Sequence, residues 1–245
     1  MIMQGVLYVS HGSRYADATA EATAFLEAVK EQVNLPLQEI CFLELASPNM
    51  MQGIANLVAQ GATSIAIIPV LLLQAGHYYH DIPQVIAQQR ALYPAVSFSY
   101  GQPLGVQDRI IQILAERIDQ AVAERRPDMK VLLIGRGSSN PQTVMDIETI
   151  VCKLKRITTL NHIEACYLAA CEPSFDKKLQ TAVTEKNSQI VIVPYIWFTG
   201  FLMRHIHKKV TKFKGTDKEI VVCQHLGEHP AMQEALKDRV IEAIS

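Results

Sequence analysis

The sequence has almost no excess of charge of either sign. It contains 23 lysines and arginines against 24 aspartates and glutamates, which gives a formal net charge of −1. Proteins that bind nucleic acid or lie on an anionic membrane usually carry a basic excess, so the charge balance argues against both partners. Long hydrophobic runs are also missing, because the longest, residues 65–73, is far too short to cross a bilayer. Residues 1–9 lack the basic segment and long apolar run of a targeting peptide, so we expect a cytoplasmic protein.

Sequence motifs for nucleotides and for paired cysteines are absent as well. There is no G-x-x-x-x-G-K-[ST] phosphate loop and no G-x-G-x-x-G dinucleotide motif, so no nucleotide is implied. The five cysteines are odd in number and none forms a C-x-x-C pair. Cys41, Cys166 and Cys223 fall inside apolar, strand-like runs. We interpret the cysteines as buried thiols of a reduced cytosolic protein.

An internal repeat is the strongest structural signal that the sequence does contain. Residues 131–138 repeat residues 6–13, so that Arg136 takes the place of His11 at an offset of 125. The same offset relates Pro48 to Pro173 and residues 65–69 to residues 190–194. Matching segments at a fixed offset indicate a duplicated structural unit.

Each half of the repeat consists of four apolar runs that alternate with helical patterns. The run at residues 6–9 does not alternate between apolar and polar residues, which is typical of a parallel strand covered on both faces. We therefore predict an α/β fold of two similar domains, each a four-stranded parallel sheet with flanking helices, and an active-site cleft between them. The charged, proline-bearing segment 124–128 lies near the repeat boundary, so the expected domains are residues 1–125 and 126–245.

Three side chains of the first half are expected at one edge of its sheet. His11 follows the first strand, Glu44 lies near the end of a strand predicted at residues 39–45, and His77 follows a strand predicted at residues 65–73. Ligands in parallel sheets bind beyond the carboxyl ends of the strands. Two imidazoles and a carboxylate suit a divalent transition metal with open coordination positions. Each histidine taken singly also fits a structural role at a strand end.

The repeat provides a comparison for these three residues. The second half has Arg136, Ala169 and Leu202 at the corresponding positions. A purely structural role would be expected in both copies, so the asymmetry favours one active site, in the first half. Arg136 is a candidate to bind carboxylates as a bidentate fork, and a salt bridge within its own loop is the alternative.

Several other residues near the strand ends have weaker interpretations. Trp197 and Phe198 suit a flat apolar ligand, although core packing is the simpler interpretation. His80 recurs as His205, which favours a structural role at the start of a helix, and Asp81 is predicted to be a helix N-cap. No role is predicted for His207, His225 and His229.

Five segments together resemble one known family. They are residues 10–14 (SHGSR), 42–44 (FLE), 67–83, 135–139 (GRGSS) and 198–200 (FTG). They resemble the class II chelatases of the sirohydrochlorin type over nearly the whole chain, with the ferrochelatases as the more similar branch and the cobaltochelatases as the alternative. The resemblance implies an enzyme that inserts a divalent metal into sirohydrochlorin and releases two protons. We expect it to act as a monomer. Fe²⁺ is expected as the substrate metal, with Co²⁺ and Ni²⁺ as alternatives, and no prosthetic group is implied.

The resemblance also assigns roles to individual residues. It implies that His11 and His77 are the metal-binding and catalytic pair and that Glu44 assists them. The residues expected to contact the substrate lie in the first-strand loop, in the third-strand loop and at the equivalent strand end of the second half: Ser10, Gly12, Ser13, Arg14, Leu72, Leu73, Gln74, Ala75, Gly76 and Arg136. The absence of a histidine-rich tract or C-x-x-C pair favours iron.

Two other functional classes remain open from the sequence. A histidine phosphatase also places His-Gly after its first strand, but an arginine precedes the nucleophilic histidine there, and here that position is Ser10. A non-catalytic carrier of metal or tetrapyrrole would use the same residues as the chelatase. The choice between siroheme and cobalamin precursors stays open as well.

Overall fold

The computed structural model describes residues 2–213 and 215–245. Its first half contains β1 (Gln4–Ser10), α1 (Ala16–Gln32), β2 (Leu37–Phe42), α2 (Met50–Ala59), β3 (Ser64–Pro69), a π-helical turn (His77–Asp81), α3 (Ile82–Leu92), β4 (Ser97–Tyr100) and α4 (Asp108–Ala121). Its second half contains β5 (Lys130–Gly135), α5 (Pro141–Thr158), β6 (Ile163–Tyr167), α6 (Phe175–Thr184), β7 (Gln189–Pro194), α7 (Phe201–Val210), a 3₁₀ turn (Thr211–Phe213), β8 (Glu219–Val222) and α8 (Pro230–Ile244). Across these described ranges, no helix is both long and apolar enough to span a membrane.

The strands form two four-stranded parallel sheets, which confirms the predicted fold class. The strand orders are β2-β1-β3-β4 and β6-β5-β7-β8. Helices cover both faces, so all residues of β1 from Val6 to Val9 have no exposed surface, as the unbroken apolar pattern predicted. Burying a side chain such as Leu7 contributes about 1.5–3 kcal/mol, so β1 anchors the first core and holds the segment that follows it.

The duplication extends to the backbone of the loops. The amide of Phe42 donates to the carbonyl of Pro48 at 2.9 Å, and the amide of Tyr167 donates to that of Pro173 at 3.0 Å. Leu45 and Ala170, 125 residues apart, both adopt left-handed backbone with φ of 63° and 64°. The two loops therefore keep one backbone path although their side chains differ.

The chain divides into two compact units that differ from the predicted domains at two helices. One unit comprises residues 1–105 and 230–245, and the other comprises residues 106–229. Helix α8 packs on β3, β4 and α1 of the first unit, whereas α4 packs on β7 and α5 of the second. The last helix of each half therefore packs on the sheet that the other half forms. The two helices are repeats of each other, so their apolar faces carry no information about which sheet they cover.

Two strands are shorter than predicted. β2 ends at Phe42, so Glu44 lies beyond the strand, and β3 ends at Pro69 rather than at residue 73. The amides of Leu104 and Gly105 donate to the carbonyls of Leu71 and Leu72 at 3.0 and 2.8 Å. The apolar run after Pro69 is therefore a hydrogen-bonded loop rather than a continuation of β3.

Candidate functional site

His11 and His77 lie together at the carboxyl edge of the first sheet. His11 directly follows β1, and His77 begins the π-helical turn in the connection that follows β3. β1 and β3 are neighbours, and the connections after them run to opposite sides of the sheet. Such a switch point is where open α/β sheets bind ligands. The two imidazole rings meet edge to face with centroids 4.9 Å apart, so the histidines can act on one ligand.

The backbone brings Glu44 to His11. The amide of Glu44 donates to the carbonyl of His11 at 3.1 Å, which extends the β1–β2 pairing past the end of β2. The side chains then lie with His11 Nε2 and Glu44 Oε1 3.5 Å apart. His11 Nδ1 is 3.2 Å from the carbonyl of Gly12, which can only accept a hydrogen bond. Both ring nitrogens of His11 therefore face oxygen acceptors, and the carboxylate beside Nε2 favours a cation at that position.

Asp81 belongs to the site, although the sequence pattern assigned it another role. Its side chain caps no helix, and its Oδ2 lies 2.6 Å from His77 Nδ1. The separation of four residues within one helical turn brings the two side chains to the same face. A histidine four residues before a carboxylate was the sequence signal for this pair. We call His11, Glu44, His77 and Asp81 the histidine–carboxylate site.

The histidine–carboxylate site is two adjacent pairs rather than a closed metal cage. In the part of the chain that the structure describes, no three His, Cys, Asp or Glu side chains are grouped to hold a metal ion. Burial raises the pKa of Cys166 and Cys223 to about 12, so these thiols stay protonated at neutral pH. The side chains of His11 and Glu44 are 37% and 53% exposed, which leaves them accessible to an incoming metal and ligand.

The residues predicted to contact substrate have different environments. In the first loop Ser10 is buried, Gly12 and Ser13 are half-buried, and Arg14 is exposed. In the third-strand loop Leu73 is buried, Leu72, Gln74 and Ala75 are half-buried, and Gly76 is exposed. Gln74 Nε2 donates to Gln102 Oε1 at 3.0 Å, and the Tyr79 hydroxyl donates to Gln74, so Gln74 ties this loop to the segment after β4 and to the π-helical turn.

In the second unit the equivalent strand ends carry no such pairs. Arg136 follows β5 and its side chain is exposed. Trp197 is buried and stacks on Phe198, with centroids 5.3 Å apart, which supports the core-packing interpretation for the tryptophan. His205 lies beside the exposed Phe201, with ring centroids 5.9 Å apart, whereas its counterpart His80 is exposed.

Comparison with known proteins agrees with the duplicated architecture. The CbiX family model matches residues 5–121 and again residues 130–243. The sirohydrochlorin ferrochelatase of Priestia megaterium is 40% identical over 243 residues, covering 99% of this chain and 91% of that protein. The sirohydrochlorin cobaltochelatase of the same organism is 33% identical over 248 residues, covering 99% of this chain and 80% of that protein. The solved structure of SirB from Bacillus subtilis with Fe³⁺ has a TM-score of 0.89 and 37% identity, covering 99% of this chain and 96% of that one. The chain therefore belongs to the CbiX family.

Proposed function

We propose that this protein is a sirohydrochlorin ferrochelatase, which inserts Fe²⁺ into sirohydrochlorin and releases two protons. The observation that carries the proposal is the pair of imidazoles, His11 and His77, 4.9 Å apart at the switch point of the first sheet. The relatives with 33–40% identity that span almost the whole chain include both a ferrochelatase and a cobaltochelatase of the same tetrapyrrole.

The geometry fits the chemistry that metal insertion requires. Two pyrrole protons must leave the macrocycle, and the metal must exchange water for ring nitrogens. Neutral imidazoles suit both tasks, because they bind divalent metals through one nitrogen and accept protons near neutral pH. In this proposal His11 and His77 hold the incoming metal weakly and then take the protons. Glu44, 3.5 Å from His11, stabilises the imidazolium that forms.

Iron is the proposed substrate metal and cobalt is the second candidate. The chain is 40% identical to the ferrochelatase and 33% identical to the cobaltochelatase of one organism. The identity to the cobaltochelatase is high enough that cobalt insertion on the route to cobalamin is a specific alternative.

Anaerobic metallation of sirohydrochlorin tests the metal assignment. Fe²⁺, Co²⁺ and Ni²⁺ are supplied in parallel, and the loss of the free-tetrapyrrole absorption is followed with and without protein. We expect the largest acceleration with Fe²⁺. Faster turnover with Co²⁺ would assign the protein to cobalt insertion, and binding without turnover for every metal would make it a carrier. Hydrolysis of a phosphate monoester in place of metallation would support the phosphatase alternative.

We also propose that the enzyme acts as a cytoplasmic monomer, without nucleic-acid or membrane partners. The near-zero net charge supports the absence of polyanionic partners, and one chain already holds both copies of the repeated unit. Light scattering after size-exclusion chromatography, with and without sirohydrochlorin, measures the mass in solution. A mass of two chains would contradict the monomer.

A further inference from the structure

Asp81 holds one nitrogen of the His77 ring. A carboxylate only accepts hydrogen bonds, so the contact of 2.6 Å between Asp81 Oδ2 and His77 Nδ1 places the ring proton on Nδ1. Nε2 is then the nitrogen with the free lone pair. Metal-binding histidines generally donate their other N–H to a carboxylate or carbonyl, which fixes the tautomer and the orientation of the ring.

The backbone around this pair is specialised. Residues 77–81 form a π-helical turn, in which the amide of Ile82 donates to the carbonyl of His77. Single π-helical turns are rare in proteins, and those that occur are frequently found at functional sites. The turn is also supported from β4, because the hydroxyl of Tyr100 donates to the carbonyl of Tyr78 at 2.9 Å. The rings of these two tyrosines stack with centroids 4.9 Å apart, and Tyr78 is buried.

The second unit shows that the fold does not require these features. At the offset of 125, His77 is replaced by Leu202 and Asp81 by Ile206, whereas the neighbouring His80 is kept as His205. The equivalent segment there is ordinary α-helix from Phe201.

The supporting tyrosines are also absent from the second unit. Met203 takes the place of Tyr78, and Val222 takes that of Tyr100 at the offset of 122. Histidine, carboxylate, π-helical turn and tyrosine support therefore occur together in one copy and are absent together from the other.

We propose that Asp81 is a positioning residue of the reaction: it fixes His77 as the Nδ1–H tautomer, so that Nε2 meets the substrate metal and the pyrrole protons. The proposal rests on the proposed function, because it assigns Asp81 a role through His77. It adds a carboxylate that contacts neither metal nor tetrapyrrole. Glu44 and Asp81 thus have different tasks, since Glu44 faces the Nε2 of His11 and Asp81 holds the Nδ1 of His77.

The test compares Asp81→Ala, Asp81→Asn and His77→Ala in the full chain. Replacing a carboxylate that orients a metal-binding histidine typically costs about 10–100-fold in metal affinity or activity. We expect Asp81→Ala to lose that factor in Co²⁺ binding to the free protein, measured by absorption titration, and in kcat/KM for the metal. The KM for sirohydrochlorin stays unchanged. Asp81→Asn recovers most of the loss, because its amide oxygen still accepts the hydrogen bond from Nδ1.

The chain offers a matched control in a second histidine–carboxylate pair. Glu116 Oε2 lies 3.2 Å from His229 Nε2 in the second unit, and the Glu116 side chain is 41% exposed, against 58% for Asp81. Glu116→Ala is expected to leave Co²⁺ binding and turnover unchanged. Equal losses in Glu116→Ala and Asp81→Ala would overturn the proposal, because the effect would then be a general one of removing such a carboxylate.

A spectroscopic measurement tests the tautomer without relying on turnover. Long-range ¹H–¹⁵N spectra of the parent protein are expected to show His77 protonated on Nδ1, and His77→Ala identifies the signal. A His77 protonated on Nε2 in the parent would overturn the proposal, even if Asp81→Ala failed to fold. If Asp81→Ala kept full Co²⁺ binding and turnover while His77→Ala was inactive, only the proposed role of Asp81 would be refuted. An active His77→Ala would instead refute the proposed catalytic pair.

Discussion

The backbones of Gly12 and Glu44 are in direct contact. Gly12 has φ of +88°, and a Cβ built on it would lie 1.8 Å from the carbonyl oxygen of Glu44. Only glycine allows this approach, since any side chain would occupy the space of the Glu44 peptide. The contact sets the distance between the loops that carry His11 and Glu44.

Gly12→Ala is expected to destabilise the protein and to displace Glu44. The left-handed backbone costs about 1–2 kcal/mol for alanine and relief of the overlap about 1–3 kcal/mol, so we expect a total of about 2–5 kcal/mol. Chelation should fall in the fraction that remains folded. Urea denaturation followed by circular dichroism measures the stability, and initial rates measure the activity.

Gly61→Ala is the matched control for Gly12→Ala. Gly61 has φ of +95°, but a Cβ there would meet no atom within 4 Å. It should lose only the left-handed penalty of about 1–2 kcal/mol and keep full activity. Equal behaviour of the two variants would show that the contact with Glu44 does not matter.

His11→Ala and His77→Ala are each expected to reduce metal insertion by about 100-fold or more, the usual contribution of a general acid or base. Both residues lie in connections beyond strand ends, and neither belongs to the buried core. Thermal melting should therefore stay close to that of the parent. A variant that melts far below the parent, or two variants with near-parental turnover, would contradict the catalytic assignment.

Glu44→Gln should impair chelation less than either histidine variant. An amide still forms a hydrogen bond, but it neither offsets the charge of an imidazolium nor accepts a proton. The side chain is about half exposed, so water replaces part of the lost interaction. Rates of the three variants under identical metal concentrations give the comparison, and a Glu44→Gln rate below that of His11→Ala would contradict this ranking.

Arg136→Ala is expected to raise the KM for sirohydrochlorin with little change in metal dependence. Hydrogen bonds to charged groups contribute about 1.5–3 kcal/mol, which corresponds to about 10–150-fold in KM. Arg136→Lys should recover part of the loss, because an ammonium cannot form the two parallel hydrogen bonds of a guanidinium. A tetrapyrrole-bound structure in which Arg136 contacts no carboxylate would exclude this role.

Lys130→Met is expected to destabilise the second unit by about 1–3 kcal/mol at neutral pH, since charged hydrogen bonds are lost. Lys130 Nζ lies 2.8 Å from Glu164 and 2.5 Å from Glu185, and its side chain is only 8% exposed. Burial would lower the pKa of Lys130, but the hydrogen bonds that its ammonium donates to Glu164 and Glu185, together with their negative charges, outweigh burial and raise the pKa. Burial would raise the pKa of Glu164, but the hydrogen bonds donated by Lys130 and Lys178, together with their positive charges, lower it.

The pH dependence of Lys130→Met follows from these two shifts. A glutamate whose pKa is lowered by folding stabilises the folded protein at pH values above its unfolded pKa. This contribution is lost as the pH falls through the folded pKa. A lysine whose pKa is raised by folding stabilises the folded protein at pH values below its unfolded pKa. This contribution is lost as the pH rises through the folded pKa. The difference between parent and variant should be largest between about pH 5 and pH 10. The fluorescence of Trp197, which is the single tryptophan and is buried in the second unit, reports the unfolding. A difference in unfolding free energy between parent and variant that stays constant down to pH 3 would contradict the prediction.

The sequence predicted the sheets and the sheet edge at which His11 and His77 meet, because both depend on short-range patterns. Unbroken apolar runs indicate buried parallel strands, and the ends of two such strands place His11 and the loop of His77 at one edge of the sheet. The repeat then favoured a functional role for His77 and Glu44, because Leu202 and Ala169 stand at the corresponding positions of the second half, where a structural role would have kept both residues.

Asp81 and the last helices were not predictable in this way. A carboxylate before a helix can cap the helix or bind the side chain four residues earlier, and only the π-helical turn decides for His77. The apolar faces of α4 and α8 specify burial but not the sheet that buries them. Both choices depend on contacts between segments distant in sequence.

The exchange of α4 and α8 sets the order in which the chain can fold during synthesis. Residues 106–229 are continuous, so the second unit is complete once that segment has left the ribosome. The first unit holds the whole histidine–carboxylate site, yet β3 and β4 lack their covering helix until residues 230–245 follow. Domains usually fold in the order of their synthesis. Here the N-terminal unit finishes last, so translation that stops within α8 leaves every site residue present on a sheet whose apolar face is exposed to chaperones and proteases.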